Sequence, residues 1–98
     1  MTGDQAPLQA VGDRWVLTGP LTMDSAASVL DASGALALPQ AGVVDLERVD
    51  RVDSAGVAVV LAWKRRAVAE GKPLMFAGVP RSMTSLAELY GVEGFLAQ

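Results

Sequence analysis

The segment Val49-Asp50-Arg51-Val52-Asp53-Ser54-Ala55-Gly56 changes the pattern of the chain. An apolar stretch ends just before it, and a helical pattern begins inside it. Any fold must therefore place a strand-like end and a helix start side by side at this point. Asp53 and Ser54 are both helix N-cap formers, able to accept hydrogen bonds from the first unpaired N–H groups. Ala55 and Gly56 add no bulk, which predicts an open surface over the helix start.

The 98 residues suffice for one domain, expected over residues 8–96, with a flexible start at 1–7 and a short C-terminal end at 97–98. Apolar residues make up 51% of the chain, enough for a folded core rather than a disordered segment. There is no cysteine and no histidine. Disulfides, thiol chemistry, thiolate metal sites and imidazole proton transfer are excluded. No cofactor is expected. The net charge is -3 and the single basic cluster is Lys64-Arg65-Arg66, so no nucleic-acid partner is expected. Met1 to Pro7 lacks the basic and apolar regions of a signal peptide. No apolar stretch approaches membrane-spanning length, so a cytoplasmic location without direct membrane insertion is expected.

Along the chain, Leu8–Val11 and Arg14–Thr18 are β-prone segments around Gly12-Asp13, which predicts a hairpin. Gly19-Pro20 is expected to end the second strand. Thr22 is the expected cap of a first helix running to about Leu30 or Leu36, with Gly34 as a stop. Val43–Leu46 is a short internal strand, and Glu47–Arg51 a turn or the end of that strand. The central helix is expected from Ser54 to Ala69. Val57, Val60, Leu61, Ala67 and Val68 form its inner side. Its outer side carries Ala55, Ala58, Val59, Ala62 and Arg66, with Trp63 flanking. That side is small and apolar where a solvated helix is normally charged. It reads as an Ala-rich helix face or as a contact surface. Gly71 should end this helix. Pro73–Ala77 is a last strand, Gly78–Pro80 a turn, and a third helix runs to Tyr90. The order β-β-α-β-α-β-α predicts an α/β fold, a single mixed sheet with helices packed mainly on one face.

Few chemistries survive inspection. Asp45, Asp50 and Asp53 cluster near the junction without the spacing of a metal loop. No Ser-x-x-Lys pair or Walker motif occurs, so no catalytic residues are assigned and an enzyme is the least favoured reading. Asp53 reads first as a cap or turn residue. Ser54 reads either as a cap or as an exposed hydroxyl, where a phosphate would add about -1.5 to -2 charge. Trp63 is a structural edge residue or an interface contact. Lys64-Arg65-Arg66 is the charged end of a helix, spread around it rather than forming one face.

Val49 to Val57, following Gly42-Val43-Val44-Asp45-Leu46, resembles the signature of the STAS domain. Gly71-Lys72-Pro73-Leu74-Met75-Phe76-Ala77-Gly78-Val79 extends the likeness, which covers about Leu8 to Leu96. This family includes anti-sigma factor antagonists, cytosolic domains of sulfate transporters, and MlaB, a small cytosolic subunit of a bacterial phospholipid ABC transporter. The resemblance implies a mixed sheet of about four or five strands. It further implies a partner-docking site at Asp53, Ser54, Ala55, Ala58, Val59, Ala62, Trp63 and Arg66. In the antagonists, the serine after the aspartate is phosphorylated by a partner kinase, which by position makes Ser54 a possible phosphorylation site. Those proteins carry a G-E-L-D-like segment where this chain has Gly19-Pro20-Leu21-Thr22. The departure shifts the expectation toward the MlaB-like branch, which the end of the chain at Ser82, Leu86, Leu89, Tyr90, Gly91 and Val92 also resembles.

Two functions follow from the resemblance. The first is a non-enzymatic accessory subunit that binds an ABC transporter ATPase subunit and, through it, an inner-membrane permease. The second is an antagonist that captures an anti-sigma factor kinase and is controlled at Ser54. A STAS regulator of some other assembly is a third, less specific reading.

Overall fold

Strands β1 (Leu8–Val11) and β2 (Arg14–Leu21) pair antiparallel, with Leu8 opposite Leu17 and Val11 opposite Arg14. The hairpin expected around Gly12-Asp13 is present. The molecule is described by a computed structural model covering residues 7–96. The expectations for residues 1–6 and 97–98 lie outside the described residues.

From β2 the chain passes through α1 (Ala26–Gly34) into β3 (Val43–Val52), then through α2 (Ser54–Glu70) into β4 (Met75–Ala77), and ends with α3 (Arg81–Leu89) and a 3-10 turn at Glu93–Phe95. The sheet order is β1-β2-β3-β4. β2, β3 and β4 run parallel, as the crossover connections require. The expected alternation of elements and the single mixed sheet are both found.

Two strands run further than their sequences suggest. β2 continues through Gly19-Pro20, because Gly19 and Leu21 align with Val49 and Val52 while an irregularity in register lies between them. Pro20, which has no N–H to donate, is tolerated at such an irregularity. β3 likewise continues past Leu46. A register shift lies between Val16/Asp45 and Thr18/Arg48, beyond which Val49 points inward and Glu47, Arg48, Asp50 and Arg51 stay exposed. The charges that suggested a turn are the solvent side of a strand. β4 is shorter than expected, starting at Met75 rather than Pro73.

One face of the sheet is covered. Trp15, Val44 and Phe76 align across β2, β3 and β4 and are all buried, whereas their neighbours Val16, Asp45 and Ala77 are half-buried. Leu17, Leu21 and Leu46 join the covered row and pack with Val29 of α1, Val57, Val60 and Trp63 of α2, and Met83 of α3. Each fully buried side chain of this size contributes about 1.5–3 kcal/mol relative to exposure.

Helix α2 packs against α1, α3, β3 and, through Gly56 and Trp63, β2, so its buried arc is wide and turned from the expected position. Val57, Val60 and Ala67 face inward as expected, and Leu61 is half-buried. Val68 does not: it is 78% exposed. Val59 and Trp63, placed on the outer side by the helical projection, are each 1% exposed and belong to the core. Gly71 ends α2 in the left-handed conformation at φ 66°. The Lys72 N–H donates to the Ala67 carbonyl at 2.9 Å, completing a hydrogen-bonded helix end. In α3 Met83 is fully buried, whereas Leu89 and the following Tyr90 are 75% and 50% exposed. Val92 and Leu96 pack partly against the core.

Candidate functional site

The junction is built around the Asp53 carboxylate. Its backbone is extended, and its Oδ1 accepts hydrogen bonds from the N–H groups of Ala55 at 2.9 Å and Gly56 at 3.4 Å. These are two of the donors that the first turn of α2 would otherwise leave unpaired. Its Oδ2 accepts from the N–H of Met23 at 3.0 Å, across thirty residues of sequence. The Met23 bond is the largest cause holding the Asp53 carboxyl below its usual pKa; partial desolvation opposes it, and the Ala55 and Gly56 bonds reinforce it.

The segment before α1 is organised by its own short-range bonds. The Ser25 hydroxyl accepts from the Thr22 N–H at 3.0 Å and donates to the Pro20 carbonyl at 2.9 Å. The Thr22 carbonyl accepts from the Ser25 and Ala26 N–H groups at 3.0 and 2.8 Å. Thr22 is thus a turn residue and not the helix cap expected of it; α1 begins four residues later at Ala26. The Met23 side chain stands 76% exposed on this turn.

Gly56 has the opposite role to the one its sequence suggests. It is buried, and a Cβ built on it would overlap the Leu21 carbonyl oxygen and lie 3.0 Å from Val52 Cγ1. Its lack of a side chain lets α2 close on the end of β2; it does not open an outer surface.

The candidate docking residues divide into three groups. Ser54 and Ala58 are exposed, and Ala55 and Ala62 are half-buried; all four lie on the outer side of α2. Among the described residues the Ser54 hydroxyl makes no hydrogen bond. Val59 and Trp63 are buried and cannot extend this surface. Trp63 instead stands edge-on to Trp15, with ring centroids 5.5 Å apart and an interplanar angle of 73°. Arg66 is half-buried and committed within the chain. Its Nη1 and Nη2 donate to the carbonyls of Ser33 and Leu36 at 2.9 and 2.7 Å, and its Nε to Glu70 at 2.8 Å. It satisfies carbonyls at the end of α1.

The basic cluster is divided in the same way. Lys64 Nζ donates to the Leu74 carbonyl and lies 5.8 Å from the centroid of the Phe76 ring, while Arg65 is exposed. Among the described residues, no group of three or more acidic side chains converges as a metal site would require. None of the described helices is long and apolar enough to cross a membrane.

What remains is a helix start with an unbonded hydroxyl, continued by alanines and flanked by an exposed methionine. Sequence reasoning missed Met23, which follows a Gly-Pro-Leu-Thr stretch carrying no chemical signal. A turn at Thr22 with Ser25 three residues on was the one clue to its placement.

The fold and this junction define a STAS domain. A family model described as Mlab, STAS domain matches residues 8–97, and the chain belongs to that family. No curated protein matches the chain. Among solved structures, the chain is similar to the anti-sigma factor antagonist SpoIIAA in its unphosphorylated form, with 20% identity, a TM-score of 0.58, and 84% of this chain and 80% of that one covered. At this identity the likeness concerns the fold. A crystal structure of Mglu matches with 30% identity and a TM-score of 0.56 over 83% of this chain. The chain spans 23% of the length of that protein.

Proposed function

We propose that this STAS domain is a non-catalytic accessory subunit that docks on the ATPase of a phospholipid ABC transport complex and supports its assembly and activity. Through that ATPase it would lie beside an inner-membrane permease. The observation that carries the reading is the outer side of α2 over its first turns: Ser54, Ala55, Ala58 and Ala62 present small, uncharged side chains, starting at an exposed, unbonded hydroxyl and bounded by the exposed Arg65. Small side chains allow close approach by another protein, and an uncharged face has little to desolvate when covered. Membership of the MlaB-type STAS family supports the choice of partner class.

The test is a titration of the purified ATPase subunit with wild-type protein and with Ser54→Glu, both shown to be folded by circular dichroism. A buried, unpaired carboxylate at the contact should weaken binding by at least about tenfold, equivalent to 1.4 kcal/mol. Equal affinities for the two proteins would sink the reading.

A second reading, an antagonist that captures an anti-sigma factor kinase, is favoured by the same exposed Ser54 hydroxyl. It requires phosphate on Ser54 after incubation with such a kinase and ATP. Mass spectrometry showing an unmodified Ser54 across candidate kinases would remove it.

A further inference from the structure

We propose that the cleft between the second half of α2 and the 3-10 turn binds a single-chain alkyl carboxylate, with the chain against Val68 and Phe95 and the carboxylate at Lys64 and Arg65. The site is separate from the start of α2 and does not rest on the docking reading above.

Lys64, Arg65, Val68, Ala69 and Phe95 line this cleft, which has a volume of about 260 Å³ and almost wholly apolar walls. Val68 and Ala69 follow Lys64 and Arg65 by about one helical turn, so α2 places two cations beside two apolar residues on one side. Phe95 contributes from the 3-10 turn. A single exposed apolar side chain is ordinary on a protein surface. Here Val68 and Phe95, 78% and 50% exposed, border the same hollow.

The charge at its rim is not neutralised. Among the described residues no carboxylate lies within ion-pair distance of Lys64 or Arg65. Glu70 is taken by Arg66 and Lys72, and Glu93 does not line the cleft. Lys64 gives one of its donors to the Leu74 carbonyl, which leaves the others for a ligand. Arg65 is exposed, and its guanidinium fork matches a carboxylate bidentately.

The chemistry of the lining selects the occupant. Its side chains offer donors at one end and nothing polar at the other; none carries an acceptor. A carboxylate on an alkyl chain has the matching distribution, acceptors only at its head and nothing to satisfy along its tail. A peptide laid here would bring N–H groups for which the side chains hold no acceptor. The cleft is also far smaller than a stable protein interface, which takes about 800 Å² of each partner.

The probe is decanoate below its micellar concentration, titrated into isotope-labelled protein and followed by NMR. The amides of Lys64, Arg65, Val68, Ala69 and Phe95 should shift together and saturate. Decanol, the same chain without the charge, should bind at least about tenfold more weakly, and acetate, the head without the chain, should give no saturable shift. Val68→Glu should lose at least about tenfold in affinity for decanoate and Arg65→Glu about fivefold, while Val68→Ile and Arg65→Lys keep most of it. Both positions are exposed, so these variants should keep the wild-type thermal unfolding midpoint.

Decanoate that shifts none of these amides, decanol that binds as tightly as decanoate, or wild-type affinity in Val68→Glu would overturn the proposal. Shifts of the same amides with protein concentration alone would assign the cleft to a second copy of the chain and overturn it. If the purified ATPase subunit covers these amides and decanoate does not, the cleft belongs to the protein interface; the docking reading stands and this proposal falls. If decanoate binds and Ser54→Glu leaves ATPase binding unchanged, the docking reading falls and this proposal stands.

Discussion

The two ends of α2 are held in different ways. At its start the helix is crowded: Gly56 lies against Leu21 and Val52, and Asp53 joins the first turn to the Met23 turn. At its end the helix is open: a Cβ on Gly71 would meet nothing within 4 Å, Val68 is 78% exposed, and the stop depends on backbone conformation. Both ends carry a glycine, for unrelated reasons. Gly56 is required by what touches it, Gly71 by its positive φ. The crowded joint fixes the position of an exposed hydroxyl and an exposed methionine, whereas at the other end Arg66 bonds the carbonyls of Ser33 and Leu36 and the surface beyond it, at Val68 and Gly71, is open.

Three measurements sharpen that contrast. Gly56→Ala should have the largest effect, because the new methyl can be accommodated only by moving backbone. Overpacking of this kind costs about 1–3 kcal/mol, more where the backbone must shift. Denaturant titration should show a matching drop in midpoint, and an undiminished midpoint would mean that the joint is loose. Gly71→Ala should cost less, about 1–2 kcal/mol, the penalty of a left-handed residue with a Cβ and open space around it. A loss larger than that of Gly56→Ala would reverse the comparison.

The smallest effect should come with acid. Because the folded-state pKa of Asp53 is depressed below 3.8, its ionised form contributes stability that is present above that value and is lost as pH falls through the lower folded value. The advantage of wild type over Asp53→Asn, followed by thermal unfolding, should therefore shrink below about pH 3.8 and not above it. An advantage independent of pH would show that charge on Asp53 contributes nothing to the joint.

Much of the architecture is legible from local pattern. The alternation of strands and helices, the Gly12-Asp13 hairpin and the Gly71 stop all follow from short-range preferences. The two strands that outran their expected ends did so because pairing between β2 and β3 continues beyond a register irregularity, a property of two segments together. Val59 and Trp63 were placed outside by a projection that treats a helix as having one partner. Here α2 packs against two helices and against the sheet, and its buried arc turns toward both residues. Asp53 and Ser54 were visible because N-caps have a local signature. Met23 was not, because what places it is a hydrogen bond from a distant carboxylate. The intrachain role of Arg66 was hidden for a similar reason: the carbonyls it bonds lie at the end of another helix.

The edge-on pair of Trp15 and Trp63 also gives the domain an optical signal of its own. These are the two tryptophans of the chain, both 1% exposed, so the native protein should emit at short wavelength from shielded indoles. Their close, nearly perpendicular packing should couple their transitions and give a near-ultraviolet dichroism signature that depends on the contact between β2 and α2. Loss of that signature would report separation of helix from sheet, while an event confined to the outer surface of α2 would leave it in place. Every substitution on the outer side of α2 can thus be checked for an intact interior without attaching a label.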